Sequence, residues 1–297
     1  RFSRQPEGCA TDTFYHFQKS RTMFATKNSP VFAGIAAAIV VAIVVSIGYH
    51  LSPVGSPMET FFFALGGKLP NGFIQIVAFG GFFTALFSLQ AISKRIDFEE
   101  AAYNAKLLPE SEQFVLYPED VARIKLDTIE AERHFGPRML TDLIKQTATK
   151  FRSNNSPADA LEITKTVSAL QYKALEKEFW LVGICQTLIP TFGFLGTVWG
   201  LASAILSLGS IKPVSMAANA GATGTVAAPP SGQVALSAGD IETLVDHMGM
   251  AFFATMLAIA LSLVVVVLSK KLEARVEEFH LKMQGYVVEN LVNRIQL

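Results

Sequence analysis

The sequence predicts an all-α, polytopic membrane protein with four transmembrane helices and a helical cytoplasmic domain. Three observations predict it. The chain has 297 residues, 51% hydrophobic and only 17% charged, with a mean hydropathy of +0.36. That is too apolar for an ordinary soluble domain. Four long stretches, 28–58, 69–93, 179–211 and 247–269, carry no Asp, Glu, Lys or Arg. Each can hold the roughly 20 apolar residues that cross a bilayer. The basic residues are also unevenly placed, 23 on one predicted side of the membrane and 2 on the other.

Residues 1–30 form an N-terminal segment with five Lys and Arg. Basic residues before a first span favour the cytoplasmic side. Residues 31–93 hold the first two spans, Val31–Tyr49 and Phe73–Ile92, joined by a short outer loop with one basic residue, Lys68. The first span is read as a retained helix, because no A-x-A-like cleavage site follows it. Residues 94–178 carry thirteen Lys and Arg and form the cytoplasmic helical domain. Lys94–Leu108 continues the second span. Pro118-Glu119-Asp120 opens a helix that Gly136-Pro137 ends, and Arg138–Arg152 forms the next. Ser156-Pro157-Ala158-Asp159 supplies an N-cap, a Pro and an acid in the order that starts a helix. With no breaker between Ala158 and Gly183, that helix is expected to run into the third span.

Residues 179–269 contain the third and fourth spans, Phe179–Leu208 and Met248–Ser269. In the segment between them, 209–239, 20 of 31 residues are Gly, Ala, Pro or Ser. Such a composition reads as a flexible outer loop. The tail 270–297 has five basic residues and extends the fourth span as a cytoplasmic helix. The same charge pattern puts both termini in the cytoplasm.

Several functions are excluded or unsupported at this level. Balanced charges, 25 of each sign, give no basic surface for nucleic acid. Two cysteines cannot build a disulfide framework or a Cys-rich metal site. Gly221-Ala222-Thr223-Gly224-Thr225 lacks the Lys of a phosphate loop. The five His are scattered without ligand spacing, so neither an enzyme nor a cofactor is expected.

The last two spans carry patterned faces. At 100° per residue, one stripe of the third span collects Gly183, Gln186, Pro190, Gly193, Thr197, Gly200, Ala204 and Leu208. Phe192, Leu195, Trp199 and Leu206 lie on other sides and suit lipid or bulky packing. The fourth span repeats the design with Ala251, Thr255, Ala258, Ser262 and Ser269. Small residues let helix backbones approach closely in lipid. All 25 acids and 25 bases lie outside the predicted spans. Proton-coupled machines generally keep an ionisable group at membrane depth. If this chain conducts ions, the titrating group has to come from a partner.

These residues resemble a known family. Pro190-Thr-Phe-Gly-Phe-Leu-Gly-Thr-Val-Trp-Gly-Leu201 is similar to the third-span signature of the MotA/TolQ/ExbB channel family. Met248-Gly-Met-Ala-Phe-Phe-Ala-Thr-Met-Leu-Ala258, running on to Lys270-Lys271-Leu272, resembles its final span. Four spans resemble the MotA branch more than the three-span TolQ and ExbB branch. The resemblance implies an ion-conducting subunit of a bacterial inner-membrane motor, in which proton or sodium motive force is converted to mechanical work. It implies a ring, a homopentamer, around a dimer of single-span MotB/ExbD/TolR-like partners, each with an intramembrane Asp. By the family motif, Thr197 and Thr255 match the threonines beside that Asp, and Pro190 the proline of the conformational change. Gly193, Gly196 and Gly200 match close-packing positions, with Gln186, Ala204, Ala251, Ala258 and Ser262 on the same pore-lining faces. A cytoplasmic rotor or adaptor would be a further partner.

Val264-Val-Val-Val-Leu268 stands where the MotA branch carries a proline, and 94–178 lacks its rotor-engaging Arg and Glu motif. The resemblance therefore leaves the driven machine open among flagellar, gliding, envelope-energising and defence systems, and leaves the ion open. Two other classes stay in play, a non-conducting membrane scaffold and a secondary transporter. Acid-free spans without a clear internal repeat argue against the transporter.

Overall fold

The computed structural model describes residues 29–67, 72–104, 106–109, 115–209 and 238–295. The N-terminal segment before residue 29, Lys68 and loop residues 210–237 lie outside them. The described residues are helical and contain no strand, only an isolated bridge between Leu116 and Ile295. In order the helices are α1 Ser29–Leu51, α2 Pro57–Ala64, α3 Phe73–Tyr103, α4 Pro118–Phe135, α5 Met139–Asn154, α6 Pro157–Glu176, α7 Trp180–Gly209 and α8 Ala238–Asn290. Four helical stretches are long and apolar enough to cross a membrane: Pro30–Leu51, Phe73–Tyr103, Pro157–Leu206 and Leu244–Arg294. The predicted all-α, four-span class holds.

The surface of α1 shows why these are spans. Ile35, Ile39, Val40, Ile43, Val44 and Ile47 are all exposed. A contiguous apolar face of that size is costly in water and comfortable against acyl chains.

The chain divides into two compact units. The first comprises 1–33, 84–184 and 265–297, the second 34–83 and 185–264. Helices α1, α3, α7 and α8 each contribute residues to both.

The first unit is built by local start and stop signals. Pro118 occupies the first turn of α4, and the Asp120 carboxylate accepts the Tyr117 N–H at 3.1 Å. Gly136, at φ +81°, ends the helix in a conformation that penalises other residues. The Ser156 hydroxyl accepts the Asp159 N–H at 3.3 Å and caps α6. The apolar faces of α4, α5 and α6 meet the tail of α8. There Leu140, Leu143, Ile144 and Phe151 are fully buried with Met283 and Val287 in one cluster. The Glu99 carboxylate accepts the Met139 N–H at 2.9 Å, which places an anion at the positive end of α5. Burial nevertheless pushes its pKa above the usual carboxylate value, against the lowering effect of that N–H, Arg95 and Arg138.

Three differences from expectation have local causes. Helix α3 stops at Tyr103 rather than Leu108, and Lys106 beyond it adopts a left-handed φ of +50°. Between α6 and α7 the chain tightens into one 3₁₀ turn, Lys177–Phe179, so the expected single rod carries a local overwinding. The segment between the first two spans contains α2, which the spacing did not suggest. Ser56 caps it by accepting the Glu59 N–H, while Glu59 accepts from Gly55.

His280 of α8 lies in the first unit. Its Nε2 is 3.1 Å from the Ser168 hydroxyl, its ring stands against Tyr172, and its Nδ1 is buried without a partner among the described residues. Burial lowers its pKa below the ordinary 6.5. A His depressed in the folded state stabilises fully above its unfolded pKa, and that contribution is lost as pH falls. Below about pH 6.5 the wild type is therefore expected to lose thermal stability relative to His280→Gln. Melting curves of the purified protein at pH 8, 6.5 and 5 check this, and parallel curves for the two proteins would refute it.

Candidate functional site

The second unit contains the predicted site residues from Cys185 onward. Helices α7 and α8 approach along a seam of small side chains. A Cβ built on Gly193 would overlap that of Ala258. One built on Gly200 would lie 2.5 Å from the Ala251 Cβ and 2.9 Å from the His247 carbonyl oxygen. Gly196 faces Ala254 of α8 and Ile74 of α3 at 3.0 and 3.2 Å on the same construction. Close approach is the reason these positions hold Gly and Ala. Ala204 is buried along the same helix.

Between these contacts the two threonines meet. Thr197 Oγ1 and Thr255 Oγ1 are 2.6 Å apart. The Thr255 hydroxyl also reaches the Gly193 carbonyl at 2.9 Å, across the seam, and Thr197 lies 3.2 Å from the same oxygen. Each hydroxyl has one proton and two acceptor lone pairs. Two protons are thus shared between a carbonyl and a hydroxyl–hydroxyl bond, with lone pairs left over. Both side chains are half-buried. Such a pair can accept from an acid or, by rotating, donate to its anion.

A second cross-helix bond involves three more predicted residues. Pro190 lies inside α7 and has no N–H to donate to the Gln186 carbonyl four residues earlier. The Ser262 hydroxyl of α8 donates to that carbonyl at 3.3 Å. Freed backbone groups in membrane helices need such substitutes.

Some sequence expectations fall elsewhere. Gly183 is exposed and a Cβ there would meet nothing within 4 Å, so it is not part of the seam within this chain. The side chain of Leu208 lies outside the described residues. Leu195, Trp199 and Leu206 are exposed, as bulky lipid-facing residues would be, while Phe192 is half-buried.

Sequence reasoning missed Ala254 and a cavity beside the seam. The cavity, about 20 Å³, is bounded by α3, α7 and α8, with Gln75, Ser203 and His247 as its polar wall. Gln75 is 2% exposed, and neither side-chain amide atom has a hydrogen-bond partner among the described residues. Its signal in the sequence was weak, one of three side-chain amides (Asn71, Gln75 and Gln90) in the charge-free stretch 69–93.

Among the described residues no group of His, Cys, Asp or Glu could hold a metal ion. Cys185 is buried, without a disulfide.

No curated protein and no solved structure matches the chain. Residues 136–235, about a third of it, match the family model of the MotA/TolQ/ExbB proton channel family. The matched segment contains Pro190–Leu201 with Thr197, and ends before the Met248–Ala258 motif. The chain thus carries four helices long and apolar enough to cross a membrane, and over residues 136–235 it is similar to the MotA/TolQ/ExbB proton channel family.

Proposed function

We propose that this chain is the ion-conducting subunit of a bacterial inner-membrane motor, a homopentamer around a dimer of single-span partners. In this reading each partner contributes an Asp at membrane depth, and the ion path runs beside Thr197 and Thr255. Both termini and the α4–α6 helices face the cytoplasm. One observation carries the reading: two hydroxyls 2.6 Å apart, on a seam of Gly and Ala, in spans without an acid or base of their own.

Hydroxyls suit a carboxyl group that alternates between charged and neutral. A charged Asp takes hydrogen bonds from Thr197 and Thr255. For this, Thr255 releases the Gly193 carbonyl, a bond worth only about 1 kcal/mol net. A neutralised Asp donates instead to their lone pairs. Loss of charge removes the main barrier to sliding the partner helix past an apolar ring. Release of the ion to the cytoplasm resets the site, and Pro190, with its substituted bond to Ser262, supplies a compliant point in α7. The α6–α7 rod and the tail of α8 carry the motion outward to a rotor or adaptor. Gln186, Gly193, Gly196, Gly200, Ala204, Ala251 and Ala258 keep the helices close while it moves.

The test is purification from native membranes in mild detergent, with native mass measurement, followed by flux in liposomes. The expected result is five copies of this chain with two of a small single-span protein, and ion flux that needs both. An oligomer alone with no flux would support a scaffold instead. A conducting monomer would support a transporter.

A further inference from the structure

We propose that the cavity lined by Gln75, Ser203 and His247 holds an ordered water that forms the first hydration station on the ion path. The argument starts from a cost. Gln75 is 2% exposed, and both its Oε1 and its Nε2 are buried without partners among the described residues. Leaving a buried donor and a buried acceptor unsatisfied is expensive, and native structures rarely tolerate it. The cavity that Gln75 lines measures about 20 Å³. A water needs roughly 10–15 Å³ on this measure, with two to four polar neighbours. Ser203 and His247 line the same space and supply the additional polar groups.

The chemistry of the amide selects the ligand. A bare cation could be held by Oε1 but would leave the Nε2 donors unmet. A water both accepts and donates, so it can serve either end of the amide. A purely structural water would satisfy the same groups, and position distinguishes the two roles. Gly200 and Ala251 form part of the cavity wall. They lie three and four residues from Thr197 and Thr255, about 5 Å along the helix axes. Gly196 and Ala254, the chain neighbours of the two threonines, line it as well, so the water stands within about one helical turn of the hydroxyl pair, toward the C-terminus of α7 and the N-terminus of α8. In the proposed topology that is the outer side. A water there can take up a proton on one face and release another toward the seam. This role rests on the proposed channel function, whereas the presence of the water does not.

The experiment uses the full chain with its native partner in lipid nanodiscs, imaged at a resolution that reveals waters, together with flux in liposomes. Density for a water within hydrogen-bond distance of the Gln75 amide is expected. Gln75→Leu should remove that density and lower ion flux at least fivefold, with subunit stoichiometry unchanged. If Gln75→Leu does not assemble, Ser203→Ala at its half-buried position provides the second variant, expected to weaken the density and reduce flux. A Gln75 amide bonded only to protein groups would overturn the site. Water density that disappears while flux stays at the wild-type level would overturn its role. A wild-type complex with no flux would defeat the channel reading instead, and the density would still decide whether the water is there.

Discussion

Thr255→Val is expected to lower ion flux by one to two orders of magnitude while the protein assembles normally. Valine nearly matches threonine in shape but has no hydroxyl, so the seam keeps its volume while that hydroxyl's donor and acceptor are lost. The folding cost is small, because Thr197 already lies 3.2 Å from the Gly193 carbonyl that Thr255 would abandon. The functional cost is larger. A hydrogen bond to a charged group is worth about 1.5–3 kcal/mol, which corresponds to roughly ten- to hundredfold in rate. Thr197→Val should act in the same direction but less strongly, since Thr255 alone makes the shorter bond to the opposite helix. Thr255→Ser keeps the hydroxyl and should retain most of the flux. Flux into liposomes, measured beside subunit stoichiometry, reads these outcomes. Wild-type flux in the Thr197→Val, Thr255→Val double variant would remove the threonines from the path.

The fold was legible where one strong local signal decided it. Charge-free stretches gave the spans, and Pro with a following acid gave the starts of α4 and α6. Small-residue periodicity also brought Gly193, Thr197 and Gly200 onto one helix face, because 3.6-residue geometry is fixed by the backbone. Periodicity says nothing about where a neighbour ends. Gly183 continues the stripe in sequence yet is exposed, with open space where a Cβ would stand. The 3₁₀ turn at Lys177–Phe179 has no breaker residue to announce it. Helix α2 depends on a reciprocal cap between Ser56, Gly55 and Glu59 in a loop otherwise rich in Pro and Gly. The cavity was the least legible, since Gln75, Ser203 and His247 come from three helices far apart in sequence. Only tertiary packing could reveal that the Gln75 amide is buried without a partner among the described residues.

The second large effect concerns the seam itself. Gly193→Ala is expected to separate α7 from α8 and destabilise the protein by about 1–3 kcal/mol, the usual cost of overpacking a filled interface. The added methyl would overlap the Ala258 Cβ, whereas its next neighbour, the Thr255 Cα, would sit at an ordinary 3.4 Å. One methyl is therefore the whole obstacle. Ala258→Gly removes it, at a helix-propensity cost of about 1 kcal/mol when made alone. The Gly193→Ala, Ala258→Gly pair should consequently be more stable than the sum of the two single changes predicts. Gly200→Ala provides the contrast, because its new methyl would meet the Ala251 Cβ at 2.5 Å and also the His247 carbonyl at 2.9 Å and the Ala251 Cα at 3.2 Å. Trimming Ala251 leaves the two backbone atoms in place, so Gly200→Ala, Ala251→Gly should recover little. Thermal melting of all six variants in detergent gives the two coupling energies. The argument requires favourable coupling at 193 and 258 and a much smaller one at 200 and 251. Simple additivity at the first pair would mean that the helices are not held at the separation the glycines permit. The Thr197–Thr255 bond depends on that same separation, so Gly193→Ala should reduce flux along with stability, and the Ala258→Gly partner change should restore both together.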